Sequence, residues 1–285
     1  MKPTFDEIYR NAPAERRDQL LRFRAAHPYK HLAVGGVQWD YIASGQGAQA
    51  IVILSGGIST GESSFSTMTK LEKEYRVISP SYPPTGKLDV VTDGLAALLD
   101  AEGIEKAHVY GHSLGSLVGH VLVRRHPQKV DKLILGSFGL YTMAHVLAAK
   151  LFFKLPMRVL YAYYARALRR LTAGTGDDEQ RFMAAYMSDL FYLQHTLSTF
   201  MSQMGLLLDG SDHAAEYGIF TPVERPGRVL IIVADDDHGF SQKERAMLIA
   251  AYPGAQVKRF ATGGHWVGTT HPEEYDAAFD AFLKA

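Results

Sequence analysis

The 285-residue chain has no cysteine, which excludes disulfide bonds, thiolate metal ligands and a cysteine nucleophile. It also has no net charge, because 30 Asp and Glu side chains balance 30 Lys and Arg. A neutral chain has no overall basic field to attract nucleic acid or an anionic membrane. We therefore expect a small, uncharged molecule as the partner, and no nucleic acid.

Long uncharged apolar runs are missing as well. About 18 apolar residues in a row are needed to cross a bilayer, and no such run occurs, so membrane insertion is not expected. The first residues, Met1 to Glu7, lack the apolar core of a signal peptide. These features predict a cytoplasmic protein, and the length suffices for one large core domain with an insertion.

Short apolar runs of strand length alternate along the chain with stretches of helical spacing. Residues 31–43 predict an antiparallel hairpin around Gly35-Gly36, and an N-terminal helix is expected within residues 4–26. The continuous runs Ala50–Leu54 and Val229–Val233 are typical of strands buried on both faces of a sheet. The pattern predicts a doubly wound, mostly parallel α/β sheet.

The strand signal stops at about residue 141 and returns at Arg228. This predicts a helical cap over residues 141–220, inserted between two parts of the core, 1–140 and 221–285. The interval is rich in aromatic residues and holds six of the nine methionines. Such side chains form adaptable apolar pockets, although ordinary helix packing is the alternative for any single residue.

Four side chains of this interval are selected as candidates for substrate binding: Phe153, Met157, Met187 and Phe191. A role at a membrane surface is less favoured, because charged residues and a proline interrupt the apolar stripe between positions 154 and 158. We therefore expect residues 141–220 to form a lid over an apolar substrate.

The sequence Gly111-His112-Ser113-Leu114-Gly115 joins a strand-like run to a helix-like pattern. A serine on a sharp strand-to-helix turn has strained backbone angles, and the positions two before and two after it tolerate almost no side chain. The start of the following helix favours a developing negative charge. Ser113 is therefore the candidate nucleophile.

A second match to the same pattern occurs at Gly57-Ile58-Ser59-Thr60-Gly61. Here the pentapeptide lies beyond the end of the strand-like run, and no apolar helix follows it directly. The motif requires a strand, a turn and a helix in sequence, so Ser59 is interpreted as a loop serine.

The preceding Ser55-Gly56-Gly57 leaves two interpretations open. It is at least a tight turn after a buried strand, and it could also form a loop whose backbone N–H groups approach a substrate oxygen. A phosphate-binding loop is disfavoured, because no Lys-Ser/Thr pair follows Gly61.

Two further polar loops follow predicted strands near the C-terminus. Residues 235–237 are three aspartates, which could form a solvated loop or a weak cation site, but no metal-spaced histidine or carboxylate cluster accompanies them. His265 lies in the glycine-rich sequence Thr262-Gly263-Gly264-His265-Trp266. No metal site is predicted, and His265 is the candidate general base.

The chain resembles the α/β-hydrolase fold superfamily over most of its length. The resemblance rests on the Gly-His-Ser-Leu-Gly turn, the acidic loop and the Gly-His-Trp loop, in the order serine, aspartate, histidine. The family pattern G-x-x-D falls on residues 234–237 and selects Asp237, with Asp236 in reserve. The resemblance implies a Ser113–His265–Asp237 triad and an oxyanion hole from the N–H groups of Gly57 and Leu114.

The resulting hypothesis is a serine hydrolase that cleaves an ester, thioester or lactone of an apolar molecule without a cofactor. A carbon–carbon bond hydrolase, or a related reaction in the same pocket, is the first alternative. The second is a non-catalytic binding or scaffold protein. That alternative arises because residues 79–84 depart from the usual D-x-x-G-x-G-x-S and are similar to the maspardin-like branch of the superfamily.

Overall fold

The computed structural model describes residues 2–152, 154–156, 159–160, 162–163, 166 and 176–285. One eight-stranded sheet runs through it in the order β1-β2-β4-β3-β5-β6-β7-β8. The strands are β1 (Lys30–Val34), β2 (Val37–Ser44), β3 (Ala50–Leu54), β4 (Arg76–Ser81), β5 (Ala107–His112), β6 (Val130–Gly136), β7 (Val229–Ala234) and β8 (Gln256–Phe260).

The hairpin β1–β2 is antiparallel, as is the pairing of β2 with β4, while β4, β3 and β5 to β8 run parallel. The predicted doubly wound, mostly parallel sheet is confirmed. The loops that carry Ser113, Asp237 and His265 follow β5, β7 and β8. They therefore lie together at the edge of the sheet where the carboxyl ends of the parallel strands meet.

The helices are α1 (Phe5–Ile8), α2 (Ala14–Ala26), α3 (Phe65–Leu71), α4 (Leu88–Ala101), α5 (Leu114–Arg125), α6 (Met143–Phe152), α7 (Asp177–Asp189), α8 (Leu197–Asp212), α9 (Gln242–Ala250), α10 (Val267–Thr270) and α11 (Pro272–Lys284). Residues Leu190–Gln194 form a short π-helical turn between α7 and α8. The expected N-terminal helix is divided into α1 and α2, and the chain turns between them. Pro13 has no backbone N–H to donate to the preceding turn, so a helix cannot run through it without a break.

Helices cover both faces of the sheet, and the central strand shows why its sequence is continuously apolar. All five residues of β3 are buried. Val52 and Leu54 join the hydrophobic core on one face, with α4 and α5, while Ile51 and Ile53 join the core on the other face, with α3 and α11. Side chains alternate across a strand, so a strand covered on both faces needs apolar residues at every position.

Helices α6, α7 and α8 lie between β6 and β7, where the sequence predicts a helical insertion. Two buried carboxylates attach this region to the core. Glu244 of α9 accepts hydrogen bonds from the backbone and side chain of Thr142. Asp209 of α8 accepts from the Leu88 N–H and from the Lys87 ammonium group. Among the helices of the described ranges, none is long and apolar enough to cross a membrane.

Candidate active site

Ser113 lies at a sharp junction between β5 and α5. Its backbone has φ 53° and ψ −116°, a conformation that side-chain-bearing residues rarely adopt. The two flanking glycines are required because any side chain at these positions would collide with neighbouring backbone atoms. A Cβ atom at Gly111 would lie 2.4 Å from the Gly115 oxygen, and one at Gly115 would lie 1.8 Å from the Leu54 oxygen. The Ser113 N–H donates to the Gly136 oxygen at 2.9 Å, which fixes the turn.

The loop after β3 lies beside this junction. A Cβ atom at Gly56 would lie 3.6 Å from the Ser113 Cβ, and one at Gly57 would lie 3.9 Å from a methyl carbon of Leu114. Neither the Gly57 N–H nor the Leu114 N–H has a protein acceptor in the part of the chain that the structure describes. The two predicted oxyanion donors therefore belong to adjacent backbone segments.

A side chain from α8 holds the same loop from the other side. The Gln203 amide oxygen accepts from the Ile58 N–H at 2.6 Å and from the Ser59 N–H at 3.3 Å, and its amide nitrogen donates to the Ser59 oxygen at 2.8 Å. Ile58 has φ 59°, which is strained for a β-branched residue. Gln203 thus fixes a strained turn immediately after Gly57.

The buried Asp237 pairs with His265, whose side chain is partly exposed. The His265 Nδ1 lies 3.0 Å from one carboxylate oxygen of Asp237 and 3.1 Å from the other. Because a carboxylate accepts hydrogen bonds, Nδ1 carries the proton in the neutral ring, which leaves Nε2 as the basic nitrogen. Burial alone would raise the pKa of Asp237, but hydrogen bonds from His265 and the Gly239 N–H outweigh it and lower that pKa.

The other two aspartates of the acidic loop have different contacts. Asp236 accepts from the backbone N–H groups of Gly263 and Gly264 at 3.2 and 2.8 Å, so it holds the histidine loop and not the histidine ring. Asp235 is exposed and lies 3.3 Å from Arg259. Of the three, Asp237 is the one that contacts the His265 side chain.

His112 links the serine turn to the histidine loop. Burial, assisted by the nearby His265, lowers the pKa of His112 to about 4, so its ring is neutral at neutral pH. Its Nε2 lies 3.0 Å from the His265 backbone oxygen, which only accepts, so Nε2 is the protonated nitrogen of this ring. The residue before Ser113 thereby fixes the position of the His265 peptide.

An apolar cluster covers the glycine loop on the side of the helical insertion. It consists of the buried side chains Ile58, Leu160, Phe200 and Met204. The Met204 terminal carbon lies 3.2 Å from where a Cβ of Gly57 would be. Of the four predicted substrate-binding residues, Met187 and Phe191 pack against this cluster. Phe153 and Met157 lie outside the described residues.

The second serine motif has a different setting. The short 3₁₀ turn Gly61–Ser64 follows Ser59, whose Oγ lies 3.4 Å from the Gly57 oxygen. Because the strand, turn and helix of a nucleophile elbow are missing at this point, Ser59 lacks the strained backbone that marks Ser113.

Three residues near the site were not singled out from sequence. Gln203 is 145 positions from the Ile58 that it binds, and nothing in the sequence connects the two. His112 occupies a variable position of the serine motif. A Cβ atom at Gly239 would lie 3.0 Å from both Asp237 Oδ1 and His265 Nδ1. The only sequence signal for Gly239 is a glycine two positions after the candidate acid.

Comparison with known proteins gives relatives along most of the chain. A 2-hydroxy-6-oxononadienedioate/2-hydroxy-6-oxononatrienedioate hydrolase of Paraburkholderia xenovorans is 27% identical, over 87% of this chain and 91% of the relative. A 2-hydroxy-6-oxo-6-phenylhexa-2,4-dienoate hydrolase of Burkholderia cepacia is 25% identical, over 84% of this chain and 89% of the relative.

The fold is also similar to that of solved structures. The crystal structure of an epoxide hydrolase from Bacillus megaterium superposes with a TM-score of 0.68 and 17% identity, covering 90% of this chain and all of the other. The family described as the alpha/beta hydrolase fold matches residues 49–272, which include β3 through the start of α11. The chain therefore belongs to the alpha/beta hydrolase fold family.

Proposed function

We propose that this chain is a serine hydrolase in which Ser113 is the nucleophile, His265 the general base and Asp237 the acid that orients His265. The observation that carries the proposal is the contact at 3.0 Å between His265 and the buried Asp237 carboxylate. The loop of His265 is tied to the strained serine turn through His112. A serine on a strained turn and an imidazole oriented by a carboxylate are two of the parts that nucleophilic catalysis requires.

The proposed reaction proceeds in two stages. The Ser113 oxygen attacks a substrate carbonyl carbon while His265 Nε2 takes the hydroxyl proton, and the N–H groups of Gly57 and Leu114 stabilise the oxyanion. The tetrahedral intermediate expels the leaving group, which receives the proton from His265. Water, deprotonated by the same nitrogen, then releases the acyl group and restores Ser113.

The charge of Asp237 supports this cycle. Its carboxylate is 5% exposed and its lowered pKa keeps it ionised at neutral pH. An ionised carboxylate at Nδ1 stabilises the imidazolium that forms when His265 accepts a proton. The exposed Asp236 has no contact with the ring through which it could act in this way.

The relatives favour a carbon–carbon bond next to a ketone as the scissile bond. Both relatives are named as hydrolases of conjugated 2-hydroxy-6-oxo acids, one a dienedioate or trienedioate and the other a dienoate. In the keto tautomer of such an acid, the 2-hydroxyl proton has moved to the carbon next to the 6-ketone. That carbon can then leave with the bonding electron pair, because conjugation with the new ketone delocalises the charge. His265 would then protonate carbon instead of an alcohol oxygen, and the rest of the machinery would be the same.

Hydrolysis of an ester of an apolar acid or alcohol is the second candidate. It is favoured by the apolar cluster of Ile58, Leu160, Phe200 and Met204, which has no charged member to bind the carboxylate of a dienoate. In both cases residues 141–220 would act as a cap, with Met187 and Phe191 contributing apolar contacts to the substrate. No cofactor takes part in either reaction.

A substrate panel tests this proposal. The turnover of 2-hydroxy-6-oxo-6-phenylhexa-2,4-dienoate is compared with that of p-nitrophenyl esters of increasing acyl length, for the wild type and for Ser113→Ala. We expect kcat/KM to rise about fourfold for each buried methylene until the pocket is full, because each contributes about 0.8 kcal/mol. Ser113→Ala should lose turnover of every substrate.

The outcome also separates the candidates. Preferred cleavage of the dienoate favours the carbon–carbon bond hydrolase, and preferred cleavage of the esters favours the esterase. Turnover that persists undiminished in Ser113→Ala would contradict both. A wild type that binds the compounds without cleaving any of them would support the binding-protein alternative.

A further inference from the structure

Helix α6 presents an apolar strip to solvent. Met143, Leu147 and Leu151 recur every fourth residue and are 80%, 60% and 60% exposed. Residues four apart lie on one face of a helix, so these three, here called the outer strip, are neighbours. Val146 of the same helix is buried. A contiguous exposed apolar strip indicates a binding surface, whereas a single exposed leucine does not.

The segment that carries the outer strip is strongly basic. From residue 141 to residue 176 the sequence has six Lys and Arg and no Asp or Glu, although the whole chain is neutral. Lys150 lies beside the strip and reaches Asp212 of α8 at 2.7 Å. Lys154 is exposed just beyond it. The outer strip therefore belongs to a segment whose only charged side chains are positive, and Lys154 is an exposed cation beside it.

Charge decides between the partners that such a surface could have. A second copy of this chain, paired through the same face, would bring two basic segments together, which is unfavourable. An anionic lipid surface offers apolar acyl chains and negative head groups together, which is what a basic amphipathic helix binds.

The two sides of α6 connect this surface with the candidate active site. Phe152 packs on the inner side against the apolar cluster beside Gly57, while its neighbour Leu151 is exposed. We propose that the outer strip and Lys154 dock the protein on an anionic lipid surface, with α6 between the lipid and the apolar cluster. The charged residues at 154–158 follow the strip in the sequence and do not divide it, so they give no reason to disfavour this role.

Vesicle co-sedimentation tests the proposal. The full chain is mixed with vesicles of phosphatidylcholine alone, or of phosphatidylcholine with phosphatidylserine, and we expect binding only to the second, weakened by salt. Lys154→Gln should lower the partition coefficient about fivefold, the contribution of one basic residue near an anionic surface. The double variant Leu147→Gln and Leu151→Gln should lower it about tenfold or more.

Matched controls are Leu21→Gln and Lys243→Gln, which change an exposed leucine and an exposed lysine on other helices and should bind like the wild type. Repeating the assay with Ser113→Ala keeps the result independent of catalysis. The proposal is overturned if the wild type does not bind vesicles that contain phosphatidylserine, or if the strip variants bind them as well as the controls do. It is also overturned if sedimentation velocity shows that the wild type is a dimer and that the strip variants are monomers.

Discussion

A single residue of the helical insertion between β6 and β7 fixes the loop that carries a candidate oxyanion donor. The Ile58 N–H donates to the Gln203 amide oxygen and is not available to a substrate. The adjacent Gly57 N–H is therefore the candidate donor to a substrate oxygen. The hydrogen bonds of Gln203 also hold Ile58 in a left-handed conformation, which costs about 1–2 kcal/mol for a residue with a side chain. Without Gln203 this strain would be relieved by movement of the loop.

We therefore predict that Gln203→Ala lowers kcat about tenfold or more while changing KM less, because a displaced oxyanion donor weakens binding of the transition state more than of the substrate. Steady-state kinetics on the best substrate of the panel measures this effect, with Gln38→Ala, a change on the distant β2, as control. An unchanged kcat in Gln203→Ala would show that the loop holds its position alone.

At the scale of elements, one arginine joins the N-terminal helices to the core and to the helical insertion. Arg24 of α2 donates to both carboxylate oxygens of Glu62, at 2.6 and 2.9 Å, and to Asp189 of α7 at 2.6 Å. Both carboxylates are buried, and Tyr9 donates to Asp189 at 3.0 Å. Removing the guanidinium would leave two buried carboxylates without their cation.

Arg24→Ala should accordingly lower the free energy of unfolding by about 3 kcal/mol or more, the cost of breaking a buried ion pair. Urea denaturation followed by circular dichroism measures it. Arg17→Ala removes an arginine of the same helix that pairs with the exposed Asp18, and it should change stability by less than about 1 kcal/mol. Equal effects of the two variants would rule out a special contribution of the Arg24 network.

The elements differ in how far the sequence could predict them. Strand β3 and the turn at Ser113 were predictable, since continuous burial and a strained serine each require a local residue pattern. The division between α1 and α2 was not predicted, although Pro13 is a signal in the sequence that a helix ends before it. The contacts of Gln203 and Arg24 depend on how distant elements meet, which no local pattern encodes.

At the scale of the whole molecule, parallel strands gather loops from distant parts of the sequence. Ser113 follows β5, Asp237 follows β7 and His265 follows β8, so all three lie at the same edge of the sheet. Their order along the chain, together with the resemblance to the family pattern, allowed them to be selected from the sequence. The apolar cluster and the outer strip could not be selected in this way. The sequence pattern of apolar residues does not show whether they face a pocket, the core or solvent.

The assignment of Ser113 as the nucleophile is the central claim, and covalent labelling tests it most directly. The wild type, Ser113→Ala and Ser59→Ala are treated with a fluorophosphonate probe, and the labelled peptide is identified by mass spectrometry. We predict labelling at Ser113 in the wild type and in Ser59→Ala, and none in Ser113→Ala. Labelling at Ser59, or equal labelling of all three proteins, would contradict the account.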